Sequence, residues 1–201
     1  ISFANRIFQL PLALFAIATA IALFPRVAKY LKNKNEDKAK EFMSKAFWFL
    51  AFLLTASTLG GIILAQEITW LLFERGAFSA TDTSNTSMVL QMYLLGLLPF
   101  GLQKLFILWL YAKEMQMQAA KIATFSLLTY IVIALSLISP MGVSGLALAS
   151  TAGGFVSFTL TIKSFGIQNF CTILRSKNTI YLLVGAIVFT VVLFVIPLKY
   201  L

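Results

Sequence analysis

The sequence predicts an all-α membrane protein, because of its composition and the length of its apolar segments. Of the 201 residues, 60% are hydrophobic and 11% are charged, and the mean hydropathy is +0.90. These values lie outside the usual range of soluble domains. The apolar segments are about as long as a bilayer is thick and are apolar on all sides, which excludes the ~10-residue alternating strands of a β-barrel.

Five runs of the sequence contain no Asp, Glu, Lys or Arg, and we interpret them as six membrane-spanning helices. The runs are Ile7 to Pro25, Ala46 to Gln66, Thr83 to Gln103, Ile122 to Ile162, and Asn178 to Leu198. A spanning helix needs ~20 residues, and all runs but the fourth have about that length. The fourth is about twice as long, and the turn signal Ser139-Pro140-Met141-Gly142 at its middle predicts a helical hairpin. The predicted spans are 4–26, 43–66, 84–112, 119–138, 142–164 and 178–198.

The third and fifth spans contain residues that favour bending and close packing. Pro99, with glycines nearby on both sides, predicts a kink in the third helix, and both a tolerated kink and a hinge are consistent with it. A stripe of small residues in the fifth helix predicts the close approach of a neighbouring helix. The stripe consists of Gly145, Ala149 and Gly153.

Both ends of the sequence lie beside predicted spans. The chain opens with Ile1, which is not a methionine and leads directly into an apolar helix, so we expect an N-terminal half to precede it. Lys199 and Tyr200 follow the sixth span and are predicted to anchor its end at the membrane interface.

Basic residues are distributed very unevenly between alternate loops, and this predicts the orientation of the helices. Most lysines and arginines fall in the loops 26–45, 113–121 and 163–177. The second loop has only Arg75 as a basic residue, and the loop around Pro140 has no charge. We therefore place the three basic loops in the cytoplasm, where the single cysteine, Cys171, would be reduced. This topology explains most of the net charge of +9, so nucleic acid is not a predicted partner.

The sequence lacks the side chains that most membrane enzymes require. It has no histidine, and its carboxylates all fall in loops or at helix ends: Glu36, Asp37, Glu41, Glu67, Glu74, Asp82 and Glu114. No spacing of Cys, His or carboxylates predicts a metal site, and no glycine-rich loop predicts phosphate binding. We therefore predict that the protein is not an enzyme, uses no cofactor and does not hydrolyse ATP.

Two basic residues inside the predicted spans are candidate ligands for an anion. Arg6 lies near the outer edge of the hydrocarbon, where it either snorkels to the interface or faces a wet cavity and binds a diphosphate through two oxygens. Lys104 lies nine residues before Lys113, and so about a dozen ångströms inside the hydrocarbon. Because burial against lipid is costly, we expect Lys104 to face the bundle interior, with Gln91 and Gln103 as polar companions.

Four stretches, in order along the chain, match the motifs of one known family. They are Ala4-Asn5-Arg6-Ile7-Phe8-Gln9-Leu10-Pro11 with Phe24-Pro25-Arg26, Trp70-Leu71-Leu72-Phe73-Glu74-Arg75-Gly76-Ala77-Phe78-Ser79-Ala80-Thr81-Asp82-Thr83, Tyr111-Ala112-Lys113, and Pro140-Met141-Gly142-Val143-Ser144-Gly145-Leu146-Ala147-Leu148-Ala149. From Ser2 to about Thr161 the chain thereby resembles the MurJ/MviN family of lipid II flippases. The similarity fades over the last span.

The resemblance implies both a fold and a function. In that family about fourteen spans form the two lobes of a MATE-like multidrug/oligosaccharidyl-lipid/polysaccharide exporter fold. The protein flips the undecaprenyl-diphosphate-linked peptidoglycan precursor, lipid II, across the bacterial inner membrane for cell-wall synthesis. By this resemblance, residues 1–162 would form most of the C-terminal lobe, and residues 163–201 a cytoplasmic connection and a peripheral helix. The N-terminal lobe would belong to the same chain, and the protein would act as a monomer.

The resemblance also implies roles for single residues. The family's cavity arginine corresponds to Arg6, and Lys104 and Lys113 match two further basic positions, so these three are the candidate diphosphate ligands. Candidate structural or gate positions are Pro11, Pro25, Arg75, Gly76 and Gly145, which lie in the matching motifs, and Pro99, which lies at the predicted kink.

The sequence departs from the family pattern at two places. The turn 114–121 differs from the usual D-x-[RK]-T-P, and Tyr130 and Ala134 replace the residues that some relatives use for sodium, so no sodium site is predicted. A drug or cation antiporter or a polysaccharide-lipid flippase of the same fold, and a non-transporting scaffold, remain alternative functions. An antiporter would require acidic residues in its cavity, and a scaffold would tolerate loss of both Arg6 and Lys104.

Overall fold

The computed structural model describes residues 2–195, and within this range the chain consists of helices and short turns without any strand. The predicted all-α fold is therefore confirmed. The predicted anchors Lys199 and Tyr200, the end of the sixth predicted span (196–198) and Ile1 lie outside the described residues.

The helices are numbered here in chain order. They are α1 (Ser2–Pro11), a π-helical segment (Leu12–Ile17), α2 (Ala18–Lys32), α3 (Glu36–Ile63), α4 (Ala65–Phe73), α5 (Ala80–Leu94), α6 (Leu97–Ala112), α7 (Gln116–Phe165), α8 (Ile167–Leu174) and α9 (Asn178–Val195). The turns 33–35 and 113–115 lie at one end of the bundle, which we call the inner end. The turn 74–79 lies at the opposite, outer end, beside the start of α1.

The first span is one continuous helix whose geometry changes after Pro11. Proline has no N–H to donate to the carbonyl one turn earlier, and the backbone widens into the π-helical segment directly after it. Pro25 lies inside α2 and does not end it, so the helix extends six residues beyond the predicted span end at residue 26, and the span end itself stays a prediction. The φ angle of proline suits a helix, and the lysines that follow are good helix formers, so α2 continues to Lys32.

The first basic loop is consequently much shorter than the predicted 26–45. α3 begins at Glu36, where the side chain of Asn35 accepts a hydrogen bond from the backbone N–H of Lys38 (3.3 Å). This N-cap satisfies one of the free donors at the helix start. The basic residues on either side of this turn are therefore helical and belong to the end of α2 and the start of α3. Only residues 33–35 form the turn.

The predicted outer loop after the second span is also partly helical. α3 ends at Ile63, and after a break at Leu64 the chain continues as the short helix α4. This helix was not predicted, because its sequence is too short to form a span and carries Glu67 in its first turn. A turn at 74–79 then leads into α5.

The predicted kink in the third span is confirmed as a bend of 41° between α5 and α6. The bend falls at Leu95 and Gly96, and Pro99 lies in the first turn of α6, where its missing N–H is not needed. A Cβ atom at Gly96 would lie 2.8 Å from the hydroxyl oxygen of Thr151, so the close approach of α7 at the bend requires glycine.

The long apolar run forms the predicted helical hairpin. α7 changes direction at Gly142, whose backbone angles (φ 56°, ψ −129°) are not helical. The two arms pack side by side, since the hydroxyl of Ser126 donates to the carbonyl of Gly153 (2.6 Å). A Cβ at Gly145 would lie 2.5 Å from the carbonyl oxygen of Leu137, so the predicted small-residue contact is confirmed.

α8 and α9 complete the described part of the chain, with a bend of 61° between them. Among residues 2–195, three helices are long and apolar enough to cross a membrane, or five if each bent pair is one span. Counting the two arms of α7 separately brings the number to six, which stays a prediction. The core is formed by side chains of α3, α5 and α6, among them Met43, Leu50, Leu54, Leu90, Phe106 and Trp109.

Candidate functional site

Arg6 lies on the face of α1 that does not pack against the bundle. Ala4 and Phe8 on the opposite face are 0% and 6% exposed, and the Phe8 ring contacts those of Tyr93 (5.6 Å) and Phe100 (5.8 Å). At ~100° per residue, a side chain two positions away from both points in nearly the opposite direction. Arg6 is exposed and makes no salt bridge or side-chain hydrogen bond with any described residue. Its guanidinium is therefore available to an anion outside this group of helices.

The π-helical segment begins at Leu12, six residues after Arg6. π-helical turns are rare, and they occur frequently at functional sites. Here the segment packs against α6, so the distortion lies between Arg6 and the middle of the bundle. The sequence did not predict this segment, and Pro11 was its only local signal.

Lys104 is half-buried on α6, the helix that packs against the π-helical segment and α2. It lies four residues inward of Phe100, and Arg6 lies two residues outward of Phe8. Because Phe8 and Phe100 are in contact, a rise of ~1.5 Å per residue places Arg6 and Lys104 roughly 9 Å apart along the helix axes.

The predicted companions of Lys104 differ in their contacts. The side-chain amide of Gln91 donates to the backbone carbonyl of Ile62 (3.1 Å) and so links α5 to α3. Gln91 is therefore already engaged. Gln103 is half-buried and forms no hydrogen bond with the described residues. Of the two glutamines, only Gln103 has a side chain without any hydrogen bond to the described residues.

Lys113 lies at the inner end of α6, where it joins two turns of the chain. Its Nζ donates to Oε1 of Glu36 (2.6 Å) and lies 5.0 Å from the centre of the Trp109 ring. Lys40 approaches the other oxygen of Glu36 (3.8 Å). The pKa of Glu36 is lowered, mainly because its carboxylate accepts this hydrogen bond from Lys113. Glu36 lies before the apolar part of α3.

The three candidate ligands therefore do not form one cluster. Lys113 lies thirteen residues inward of Phe100, which corresponds to roughly 20 Å along the helix. Arg6 and Lys104 lie near the Phe8 and Phe100 contact, whereas Lys113 is paired at the inner end. The three cations are thus spread along the long axis of the bundle.

The outer motif fixes the turn between α4 and α5 to the start of α1. A guanidinium nitrogen of Arg75 donates to the carbonyl of Leu71 (3.3 Å) and so closes the end of α4. Gly76 adopts φ +61°, a left-handed conformation that favours glycine. The Phe73 and Phe78 rings lie 4.7 and 5.5 Å from that of Phe3, three residues before Arg6. These side chains position the turn beside Arg6.

The same motif contains the N-cap of α5. The Ser79 hydroxyl accepts from the backbone N–H of Asp82 (3.3 Å), and the Asp82 carboxylate accepts from the backbone N–H of Ser79 (3.0 Å). Hydrogen bonds from the Ser79 side chain and backbone lower the pKa of Asp82, which lies before the apolar part of α5. The Ser-x-x-Asp pattern thus marks a helix start and forms no ligand site.

The fold and the distribution of cations define the class of this protein: a polytopic α-helical membrane protein in which Arg6 has no anionic partner among the described residues. A family model described as "Lipid II flippase MurJ" matches residues 1–200. The chain belongs to this family, as the resemblance predicted. The family is located in the bacterial inner membrane, and the apolar helices of this chain are consistent with that location.

Three relatives show how far the similarity extends. Two are named "Probable lipid II flippase MurJ", come from Helicobacter pylori strains J99 and 26695, and are each 54% identical over 177 residues. A protein of the same name from Rhizobium meliloti strain 1021 is 34% identical over 158 residues. The alignments cover 88%, 88% and 79% of this chain, but only 38%, 38% and 30% of the relatives. The chain thus spans well under half the length of these relatives.

Proposed function

We propose that the whole protein moves lipid II from the inner to the outer leaflet of the cytoplasmic membrane, and that this chain provides most of its C-terminal lobe. The names of the family and of the relatives support this proposal. The protein would act as a transporter and not as an enzyme. It would work as a monomer, with lipid II and membrane lipids as partners and without nucleic acid.

The physical task of such a protein is to carry a diphosphate through hydrocarbon. An uncompensated anion is very unfavourable there, whereas the prenyl tail can stay in the lipid. Arg6 supports this function best: it is exposed beside the π-helical segment, and it has no anionic partner among the described residues. Its planar guanidinium can bind two phosphate oxygens at once.

The other two cations would act at different depths. Lys104 would bind the diphosphate nearer the middle of the membrane, and Lys113 would bind it at the inner end after its bond to Glu36 opens. The two lobes would rock between inward-open and outward-open states, and the diphosphate would pass from one cation to the next. In this proposal residues 1–162 form lobe helices, residues 163–201 a connection and a peripheral helix, and the turns at the inner end face the cytoplasm.

The proposal is tested by replacing Arg6 with alanine in the full-length protein. We expect Arg6→Ala to abolish growth of a strain depleted of its own lipid II flippase, with normal amounts of the variant in the membrane. Lysine keeps the charge but loses the two-oxygen contact, so Arg6→Lys should restore growth only in part. Arg26→Ala, at an exposed arginine further along the same helix, is the matched control and should grow normally. Full growth of Arg6→Ala would overturn the proposal.

A further inference from the structure

A cavity of about 570 Å³ lies between α4 and α5 at the outer end of the molecule. Its volume is within the range of sites for small organic molecules, about 300–1,000 Å³. Most of the wall is apolar and includes Leu64, Ile68, Trp70 and Leu71. Glu67 and Glu74 lie in the same wall, and no lysine or arginine does. An anionic diphosphate would be repelled from this cavity, so it is separate from the proposed lipid path.

The carboxylate of Glu67 has no partner in the described part of the protein. Its Oε2 atom is buried and accepts no hydrogen bond. None of the salt bridges among residues 2–195 includes Glu67 or Glu74. Arg75 is close in sequence, but it donates to the carbonyl of Leu71. The Glu67 side chain as a whole is half-buried. A cation beside its carboxylate would supply the partner that the described residues do not.

Glu74 differs from Glu67, because it accepts a hydrogen bond from the hydroxyl of Thr83 in the same wall. One of its oxygens is therefore satisfied within the protein. The two carboxylates give the cavity a negative charge, and Glu67 is the one that most requires a counter-charge. A ligand should consequently depend more on Glu67 than on Glu74.

The chemistry of the wall selects the kind of cation. Calcium takes six to eight oxygen ligands, and no group of three His, Cys, Asp or Glu residues that could hold a metal occurs among the described residues. An ammonium group can donate hydrogen bonds to a carboxylate, and an attached apolar body can pack against the aliphatic wall. The half-exposed Trp70 also offers an aromatic face to a cation.

We propose that this cavity binds an organic ammonium ion with an apolar body. The ammonium lies at Glu67, and the body packs against Trp70, Leu71 and Ile68. The proposal does not depend on lipid II transport, because a cavity lined by two glutamates would not bind the diphosphate that Arg6 is proposed to bind. The ammonium can belong to a lipid headgroup or to a free amphiphile.

The test uses the purified full-length protein in detergent and two fluorescent probes. Dansylcadaverine carries a primary ammonium on an apolar dansyl group, and dansylamide carries the same group without the charge. We expect saturable binding of dansylcadaverine only. Glu67→Gln should weaken it about tenfold, because a charge-assisted hydrogen bond is lost. Glu74→Gln should weaken it less, and Glu114→Gln, at an exposed carboxylate of the inner end, should leave it unchanged.

Equal binding of the two probes would overturn the proposal, and so would unchanged affinity for dansylcadaverine in Glu67→Gln. The proposal would also fail if neither probe bound because the rest of the protein covers the cavity. If Glu67→Gln does not accumulate, Trp70→Leu keeps an apolar wall but removes the aromatic face, and it should weaken dansylcadaverine several-fold. Unchanged affinity in this variant would also count against the site.

In nanodiscs, displacement of the probe by phosphatidylethanolamine but not by phosphatidylglycerol would assign the site to a lipid headgroup. No displacement by either lipid would assign it to a free amphiphile.

Discussion

At the scale of single residues, the surroundings of a cation decide what it can do. Arg6 and Lys113 were both predicted as diphosphate ligands from their positions in matching motifs. The structure leaves Arg6 without an anionic partner among residues 2–195, whereas Lys113 is bound to Glu36 and lies over the ring of Trp109. In the proposed function, Arg6 would therefore bind the diphosphate directly, whereas Lys113 would first have to release Glu36.

A charge swap separates the two possible roles of Lys113. The double variant Lys113→Glu with Glu36→Lys keeps an ion pair between α6 and α3 but places a carboxylate at position 113. We expect this variant to accumulate normally and yet fail to support growth of the depleted strain, because a carboxylate cannot bind a diphosphate. Glu36→Gln should grow, since it leaves Lys113 in place. Growth of the swapped variant would show that Lys113 acts only through the ion pair.

At the scale of helices, glycine at the contact between the arms of α7 allows the hairpin to form. The nearest atom to a Cβ at Gly145 would be a backbone oxygen, which cannot rotate away as a side chain can. The same substitution at Gly60 of α3 would meet only the Phe189 ring, at an ordinary distance of 3.6 Å. The two glycines therefore provide a matched pair.

We expect Gly145→Ala to lower the free energy of unfolding by about 1–3 kcal/mol, because the arms of α7 must move apart. Gly60→Ala should be neutral or stabilise the protein by up to ~1 kcal/mol, since alanine favours a helix. Thermal unfolding in detergent measures both. Equal melting temperatures for the two variants would contradict the packing described for the hairpin.

The N-cap of α5 gives a second prediction at this scale. Ser79→Ala removes the hydroxyl that accepts from the backbone N–H of Asp82 and should cost about 1 kcal/mol of stability. Ser84→Ala, an exposed serine one turn further along α5, should leave the melting temperature unchanged. If the two variants melted alike, the turn would depend on its phenylalanine contacts and not on the cap.

At the scale of the whole molecule, the basic segments gather at one end of the bundle. The bond between Lys113 and Glu36 joins two of them. Asp37 of α3 and Asn169 and Thr172 of α8 line the same surface pocket, so α8 lies beside the start of α3 at this end. The basic residues that are unevenly distributed along the sequence therefore also gather in space, and the positive-inside rule predicts that this end faces the cytoplasm.

Labelling of cysteines tests this orientation. Cys171 is exposed on α8, and we expect a membrane-impermeant maleimide to react with it only from the cytoplasmic side. In full-length protein with Cys171 replaced by serine and other cysteines removed, Ser79→Cys should react only from the outside. Labelling of both positions from the same side would contradict the six-span topology.

Much of the fold could be predicted because it depends on local sequence. The apolar runs, the bend near Pro99 and the hairpin at Gly142 each follow from a few neighbouring residues. Two helix bounds differ from the predicted spans for local reasons: Pro25 is compatible with a helix, so α2 continues to Lys32, and α4 has no strong pattern of its own. The π-helical segment was missed because Pro11 indicates a disturbed helix without indicating its form.

The sequence by itself determined the class of protein, the apolar helices and the distribution of basic residues, since these depend on composition and on residues close along the chain. The tertiary structure decided which face of α1 carries Arg6, that Lys113 bonds to a residue 77 positions away, and that Glu67 lines an apolar cavity. The physical reason is that the surroundings of a charged side chain are set by helices distant in sequence. The function of a charge in a membrane protein depends on those surroundings.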